Sequence, residues 1–136
     1  MMQSAIVQAT NDKAAVKARV EAIPTLSIGP FDETQPVFEE LLSVQQPLPV
    51  RQRAITALGL INDDRVAELL IEAWPGLSPQ LRMSAVETLF SRKPWLVSLL
   101  EAVKAGDINP GDIGPERVQL LKKNQDKAVK KNGGVP

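Results

Sequence analysis

The sequence has 136 residues, of which 43% are hydrophobic and 24% are charged, and its 16 basic residues balance its 16 acidic residues. This composition is typical of one globular domain with a sizeable core, and the balanced charge indicates neither a nucleic-acid partner nor a membrane partner. The chain contains no Cys and no His. Disulfides, thiolate or imidazole metal sites, c-type haem attachment and Ser-His-Asp catalysis are therefore excluded within these residues.

No apolar run approaches the ~20 residues that a membrane-spanning helix requires, so we expect no membrane insertion. Residues 1–4 lack the basic and apolar regions of a signal peptide, and the sequence alone assigns no compartment. Helical periodicity begins at once, and we therefore expect the chain to be a segment cut from a longer protein.

The first third of the chain predicts three helices. Residues 4–9 form a weak first helix, and Asp12 is the N-cap of a second helix that ends before Pro24, because proline disfavours helical geometry in the residue before it. An irregular link follows. The third helix runs from about Thr34 to Ser43, with Pro36 in its first turn, where the missing N–H costs little.

The central part of the chain repeats a pattern of nine positions with the period of one helix face. Each of the first five positions recurs at the same distance along the chain, as Val50 does at Leu81. Each of the last four recurs at a distance one residue shorter, as Val66 does at Leu96. Such helices cannot bury their apolar faces alone, so the pattern predicts stacked helix–turn–helix repeats. The two copies are Val50, Arg51, Ala54, Ile55, Leu58, Val66, Leu69, Leu70 and Ala73, and Leu81, Arg82, Ala85, Val86, Leu89, Leu96, Leu99, Leu100 and Val103.

Turn-forming residues divide this part into four helices. The first ends near Gly59, and the second runs from Asn62-Asp63 to Trp74. The third starts at Ser78-Pro79, an N-cap followed by proline, and the fourth opens at Pro94 and ends around residues 104–106.

The C-terminal part begins with an irregular link over residues 107–114 and a short helix from Pro115. Asp126 then caps a final fragment, and residues 132–136 are expected to fray. Residues 116–136 hold six Lys or Arg and two Asp or Glu. This basic stretch is either the solvated end of a helical array or an arm for an acidic partner or nucleic acid, although no aromatic residue interleaves it to stack bases.

The repeated helix pairs resemble HEAT repeats. In that family the second helix of a pair begins Val-Arg-x-x-Ala and often ends Ala-Leu-Gly, and residues 50–54 and 57–59 match this closely. Residues 81–85 match less fully, and residues 128–130 keep only the beginning. The resemblance implies an all-α, armadillo-like fold, a right-handed α-solenoid of HEAT-like helix pairs. It also implies one domain over residues 1–131, with repeats at about 4–23, 34–60, 63–91 and 94–131.

Three segments are similar to the HEAT region of large bacterial proteins named as membrane-bound dehydrogenases, namely residues 69–79, 91–95 and 105–108. Those proteins also carry a propeller-like dehydrogenase domain and a haem-binding c-type cytochrome domain. The similarity implies an exported or periplasmic parent protein. Any dehydrogenase activity would lie outside this chain, and no catalytic or haem-ligating residue is carried over to it.

Arg51 and Arg82 occupy equivalent positions, and Lys17 extends their row, since Val16-Lys17-x-Arg19 resembles the segment that begins Val50-Arg51. Two interpretations stay open: ladder residues that bond turn oxygens, or a basic stripe on the concave face that binds carboxylates or phosphates. The family usually has an Asp in the turn before Val-Arg. Gln46 and Gly76 stand near those turns here, so we expect Arg51 and Arg82 to be less firmly tethered than usual.

The other candidate residues each have a structural and a functional interpretation. Trp74 and Trp95 are either packing wedges or a pair that stacks a ligand. Asp107 and Asp112 do not match a calcium-loop spacing. The acidic helix face is most simply matched to the helix dipole, and a paired-carboxylate site there would need facing partners; its members are Asp63, Asp64, Glu68 and Glu72.

The sequence therefore predicts a non-catalytic helical-repeat scaffold or interaction module without a cofactor or metal, and membership of a larger exported redox protein is implied only by the resemblance. The expected partner is a protein or a neighbouring domain of the same polypeptide, and the oligomeric state is open. The alternative is a HEAT-like nucleic-acid-binding protein resembling a DNA glycosylase, which needs a basic groove with aromatics and a catalytic carboxylate. A third interpretation is an accessory module of a redox enzyme.

Overall fold

The computed structural model describes residues 2–120 and residue 123, and all regular structure in these residues is helical. The all-α prediction is thus confirmed for this part of the chain. Single turns of 3-10 helix lie at Trp74–Gly76 and Pro110–Asp112, and residues 115–120 are again helical. The α-helices with full bounds are α1 Met2–Thr10, α2 Val16–Leu26, α3 Phe31–Leu41, α4 Leu48–Leu58, α5 Arg65–Ala73, α6 Pro79–Phe90 and α7 Lys93–Ala105.

The helices pack with partners two places along the chain as well as with their neighbours. Helix α1 contacts α3 and α5 contacts α7, while α4 lies between α2 and α6 and contacts both. The consecutive pairs α1 and α2, α3 and α4, and α6 and α7 are also in contact. Buried apolar side chains from all seven helices join in one core. Among the described helices, none is long and apolar enough to cross a membrane.

The repeated apolar pattern provides much of this core. Ile55 and Leu58 of α4 are fully buried, and so is Leu89 at the position in α6 equivalent to Leu58. Leu70 of α5 and Leu99 of α7 are also fully buried. The helix face assigned from the helical period is therefore the face that packs.

Helix α2 continues through Pro24 to Leu26, whereas the sequence predicted that it ends before Pro24. A proline inside a helix removes one hydrogen bond and costs about 3 kcal/mol. Ile23 and Leu26, on either side of Pro24, are both fully buried. Burial of such side chains contributes about 1.5–3 kcal/mol each, which offsets the cost of a proline near the helix end.

The prediction that Asp12 caps α2 is wrong. Helix α2 begins at Val16, and its N-cap is Ala15, whose side chain makes no capping hydrogen bond. Asp12 instead lies in the turn before the helix, with a carboxylate oxygen 3.8 Å from Arg19 Nη2. Helix α2 thus begins without a capping side chain.

Helix α3 begins at Phe31, ahead of the predicted start at Thr34, so Pro36 lies beyond its first turn. The Phe31 side chain is only 6% exposed, and the Arg65 guanidinium lies 5.1 Å from the ring centroid. The Thr34 N–H donates to the Pro30 carbonyl at 3.1 Å and closes the first turn. Burial of Phe31 therefore moves the helix start towards the N-terminus.

Two boundary predictions from local sequence are confirmed. The Ser78 hydroxyl accepts a hydrogen bond from the Leu81 N–H at 3.3 Å, and Pro79 is the first residue of α6. Helix α7 ends at Ala105, and Gly106 follows in the left-handed conformation with φ 86°, which glycine adopts without strain. The fragment predicted at Asp126 and the fraying predicted for residues 132–136 lie outside the described residues.

Leu58 and Leu89 test the assignment of the packing face. Because both side chains are fully buried, Leu58→Ala and Leu89→Ala are each expected to lower the free energy of unfolding by about 2–5 kcal/mol. The matched control is Leu60→Ala, since Leu60 is 65% exposed and its truncation should cost less than about 0.5 kcal/mol. Urea unfolding followed by far-UV circular dichroism measures all three, and equal losses at Leu58 and Leu60 would contradict the assignment.

Candidate functional site

Three arginines occupy the same position in three helices. Arg19, Arg51 and Arg82 are each the fourth residue of their helix, α2, α4 and α6 respectively. Arg19 is 2% exposed and Arg51 is 8% exposed, while the Arg82 side chain is 25% exposed. Charged side chains are rarely this buried unless they are paired or hydrogen-bonded, so their partners decide what these arginines do.

The first set of partners is backbone. In each case the Nε–H donates to a carbonyl at the C-terminal end of the helix that precedes the arginine. Carbonyls at the end of an α-helix lack the N–H donor that the next turn would supply, and of these three the Trp74 carbonyl also accepts from the Leu77 N–H at 3.0 Å. The three bonds are Arg19 Nε to Ala9 O at 2.9 Å, Arg51 Nε to Leu42 O at 3.2 Å and Arg82 Nε to Trp74 O at 3.2 Å.

The second set of partners lies further along the chain, in a turn that follows the arginine's own helix. One terminal nitrogen of each guanidinium donates to an oxygen there, so each arginine joins its own helix to the helix before and to a turn beyond. We call Arg19, Arg51 and Arg82 with these partners the arginine ladder. The bonds are Arg19 Nη2 to Gln46 Oε1 at 2.6 Å, Arg51 Nη2 to Gly76 O at 2.5 Å and Arg82 Nη1 to Asp112 Oδ2 at 3.1 Å.

Lys17 lies outside the arginine ladder. It is exposed on α2, and Arg19 occupies the position equivalent to Arg51. The alignment of Lys17 with Arg51 is thus corrected to an alignment of Arg19 with Arg51. The sequence contains the signal for this correction, since Arg-x-x-Ala-Ile/Val-x-x-Leu begins at all three arginines. The prediction that α2 ends before Pro24 left Leu26, the last residue of the copy that begins at Arg19, outside the helix.

The expectation that Arg51 and Arg82 are loosely tethered is wrong. Gln46 and Gly76, which stand near the turns where an aspartate was expected, both provide oxygens that accept hydrogen bonds from ladder arginines. Burial lowers the pKa of Arg51 from its ordinary value because the charged guanidinium loses water. Arg51 and Arg82 thus bond turn oxygens, as one of the two interpretations predicted.

Asp112 connects Trp74 to the arginine ladder. Its Oδ2 accepts from Trp74 Nε1 at 3.3 Å as well as from Arg82 Nη1. Arg82 also lies 6.0 Å from the Trp74 ring centroid, a favourable cation–π distance. Trp74 is 2% exposed and Trp95 is 1% exposed, so both rings are placed as packing residues. Trp95 Nε1 donates to the Asp63 carbonyl at 3.0 Å.

A second charged network fixes the start of α5. Asp63 Oδ1 accepts from the Arg65 backbone N–H at 2.8 Å and from its Nε at 3.0 Å, and Oδ2 accepts from Nη2 at 2.8 Å. Arg65 Nη1 donates to Asp32 of α3. The hydrogen bonds from Arg65 lower the pKa of the Asp63 carboxyl from its ordinary value of 3.8. The same bonds raise the pKa of Arg65.

Acidic side chains meet on the surface between α5 and α7. Glu68 and Glu72 of the predicted acidic face line a groove of about 500 Å³ there, opposite Glu101 and Asp107. We call this feature the acidic groove. Among residues 2–120 and 123, no three or more carboxylates come together as a metal site would require. The four carboxylates give the groove a dispersed negative charge, which can attract cations.

No protein-family model, curated protein sequence or solved structure matches this chain.

Arg51 tests the structural role of the arginine ladder. Arg51→Gln should lower the free energy of unfolding by more than about 2 kcal/mol, because the carbonyls of Leu42 and Gly76 lose a charged donor. The matched control is Arg53→Gln on the same helix, where the side chain is exposed and the expected loss is below about 0.5 kcal/mol. Urea unfolding measures both. A loss at Arg51 no larger than at Arg53 would rule out a structural role for Arg51.

Asp63 predicts a specific dependence of stability on pH. Since its folded-state pKa is lowered, the Asp63 pair with Arg65 stabilises the protein above the unfolded pKa, and this contribution is lost as pH falls through the folded pKa. Asp63→Asn should therefore be less stable than the wild type at about pH 6, with the difference shrinking below about pH 3. Urea midpoints across this range measure it, and Asp64→Asn is the exposed control. A constant difference at every pH would rule out this linkage.

Proposed function

We propose that the chain is a non-catalytic helical-repeat interaction module whose acidic groove binds a positively charged protein segment. We further propose that its helices form a right-handed α-solenoid of HEAT-like pairs. Two observations support this arrangement. Helices two places apart are in contact, as α2 is with α4 and α4 with α6. Each ladder arginine also begins the same apolar pattern, Arg-x-x-Ala-Ile/Val-x-x-Leu.

The acidic groove is the observation that carries the proposed activity. Its four carboxylates come from α5, α7 and the residue pair after α7, and all four side chains belong to exposed residues. Ile71 and Ala102 lie between them as apolar lining. A lysine side chain fits such a surface, because its methylene stem covers apolar atoms while its ammonium group reaches a carboxylate.

Charge also favours a protein over a nucleic acid as the partner. The carboxylates of the groove repel phosphates, and Arg51 and Arg82 already donate to protein oxygens. A basic segment of a neighbouring domain or of a separate protein suits the groove better. We include in this proposal the origin implied by the sequence resemblance, a larger exported redox protein whose chemistry lies in other domains.

A lysine-rich peptide tests the groove directly. Fluorescence anisotropy of a labelled Lys-Ala-Lys-Leu repeat peptide is expected to show binding that weakens as salt screens the charges. Glu68→Gln/Glu101→Gln should raise the Kd about three- to thirtyfold, since each exposed ion pair contributes about 0.3–1 kcal/mol.

The control variant carries the same change in net charge at exposed residues away from the groove. Glu21→Gln/Glu116→Gln meets this condition, because Glu21 lies on α2 and Glu116 lies in the helical residues 115–120. Its Kd should stay close to that of the wild type. Equal weakening in both double variants would mean that net charge alone attracts the peptide, and the proposal would fail.

A further inference from the structure

The three positions of the arginine ladder differ in how the positive charge is balanced. Arg82 has a carboxylate in direct contact, since Asp112 Oδ2 lies 3.1 Å from its Nη1. Arg19 has an uncharged amide in the equivalent place, with Gln46 Oε1 2.6 Å from its Nη2. Only Asp12 offers Arg19 a carboxylate among the ion pairs of the described residues, and the separation is 3.8 Å.

Arg19 is nevertheless more buried than Arg82. Its side chain is 3% exposed, against 25% for Arg82, whereas the Asp12 side chain is 84% exposed. A carboxylate that is so well solvated compensates a buried cation weakly. Removing a guanidinium from water is costly unless an anion or several hydrogen bonds replace the lost solvent. Arg19 meets this condition with hydrogen bonds to two uncharged oxygens, Ala9 O and Gln46 Oε1. A carboxylate beside Arg19 would balance the positive charge that these oxygens leave unbalanced.

A cavity beside Arg19 provides the room. It measures about 240 Å³, well above the space that one water molecule needs. Arg19, Asp12, Gln45, Gln46 and Pro47 line it. The two glutamines carry amide N–H groups that can donate to an oxyanion, and Asp12 is the one lining group that opposes a negative charge.

We propose that this cavity is a binding site for a small carboxylate, which lies beside Gln46 Oε1 and gives Arg19 the negative charge that the Asp112 side chain gives Arg82. The carboxylate oxygens accept from the Arg19 guanidinium and from the glutamine amides. The source of the group is either a free monocarboxylate the size of acetate or an aspartate side chain of a protein partner. This site is separate from the acidic groove and does not depend on the proposed function.

The decisive variant is Gln46→Glu. It has nearly the same shape as the wild type and puts a carboxylate oxygen where Gln46 Oε1 contacts Arg19. Thermal unfolding is measured in sodium acetate and in sodium chloride at equal ionic strength and pH 7. At an acetate concentration tenfold above the Kd, the wild type should have a Tm about 3–6 °C higher than in chloride. Gln46→Glu should have a higher Tm without acetate and no acetate-specific rise.

The control Gln80→Glu makes the same substitution at an exposed residue of α6 and should keep the acetate response. Titration with N-acetyl-aspartate amide distinguishes the sources, because a site for a partner's side chain should respond to it at lower concentration than to acetate. The proposal is overturned if chloride and acetate act alike, if Gln46→Glu keeps the acetate-specific rise, or if Gln46→Glu lowers the Tm.

Discussion

The hydrogen bonds from buried guanidinium groups to helix-end carbonyls are the interaction on which the packing of this chain depends. A helix leaves its last four carbonyls without partners inside the helix, and a buried carbonyl without a donor is costly. Arginine carries five N–H donors in a rigid fork. One side chain can therefore donate to a carbonyl at a helix end and also to an oxygen in a turn. Arg51 does this for Leu42 and Gly76 at once, and the arrangement recurs wherever the apolar pattern recurs.

The sequence predicts those features of the fold that local periodicity decides. Leu58 and Leu89 were assigned to the packing face from spacing alone, and both are fully buried. Pro24 shows where local rules fail, because burial of Leu26 outweighs the preference of proline for helix ends. Local similarity also fails at Lys17, because the likeness of Val16-Lys17 to Val50-Arg51 aligns Lys17 with Arg51 in place of Arg19. The acceptors could not be predicted, since a backbone carbonyl such as that of Gly76 has no side-chain signature.

The candidate site shows the same division between local and distant information. Glu68 and Glu72 are one helical turn apart on α5, so the sequence could place them on one face. Glu101 and Asp107 join them only because α5 packs against α7, which spacing along the chain does not reveal. A net charge of zero is therefore compatible with a strongly acidic local surface, and overall composition is a poor guide to the partner.

The reach of the ladder arginines has a consequence for cooperativity. Arg19 bonds the end of α1 and also the turn before α4, so unfolding of α2 removes a hydrogen-bond donor from both places. In repeat arrays the stability of each unit includes a term for the interface with its neighbour. Guanidinium groups that hydrogen-bond across two neighbouring helix pairs increase the stability of the interface between these pairs. We therefore expect the opening of one helix pair to be coupled to the opening of the next.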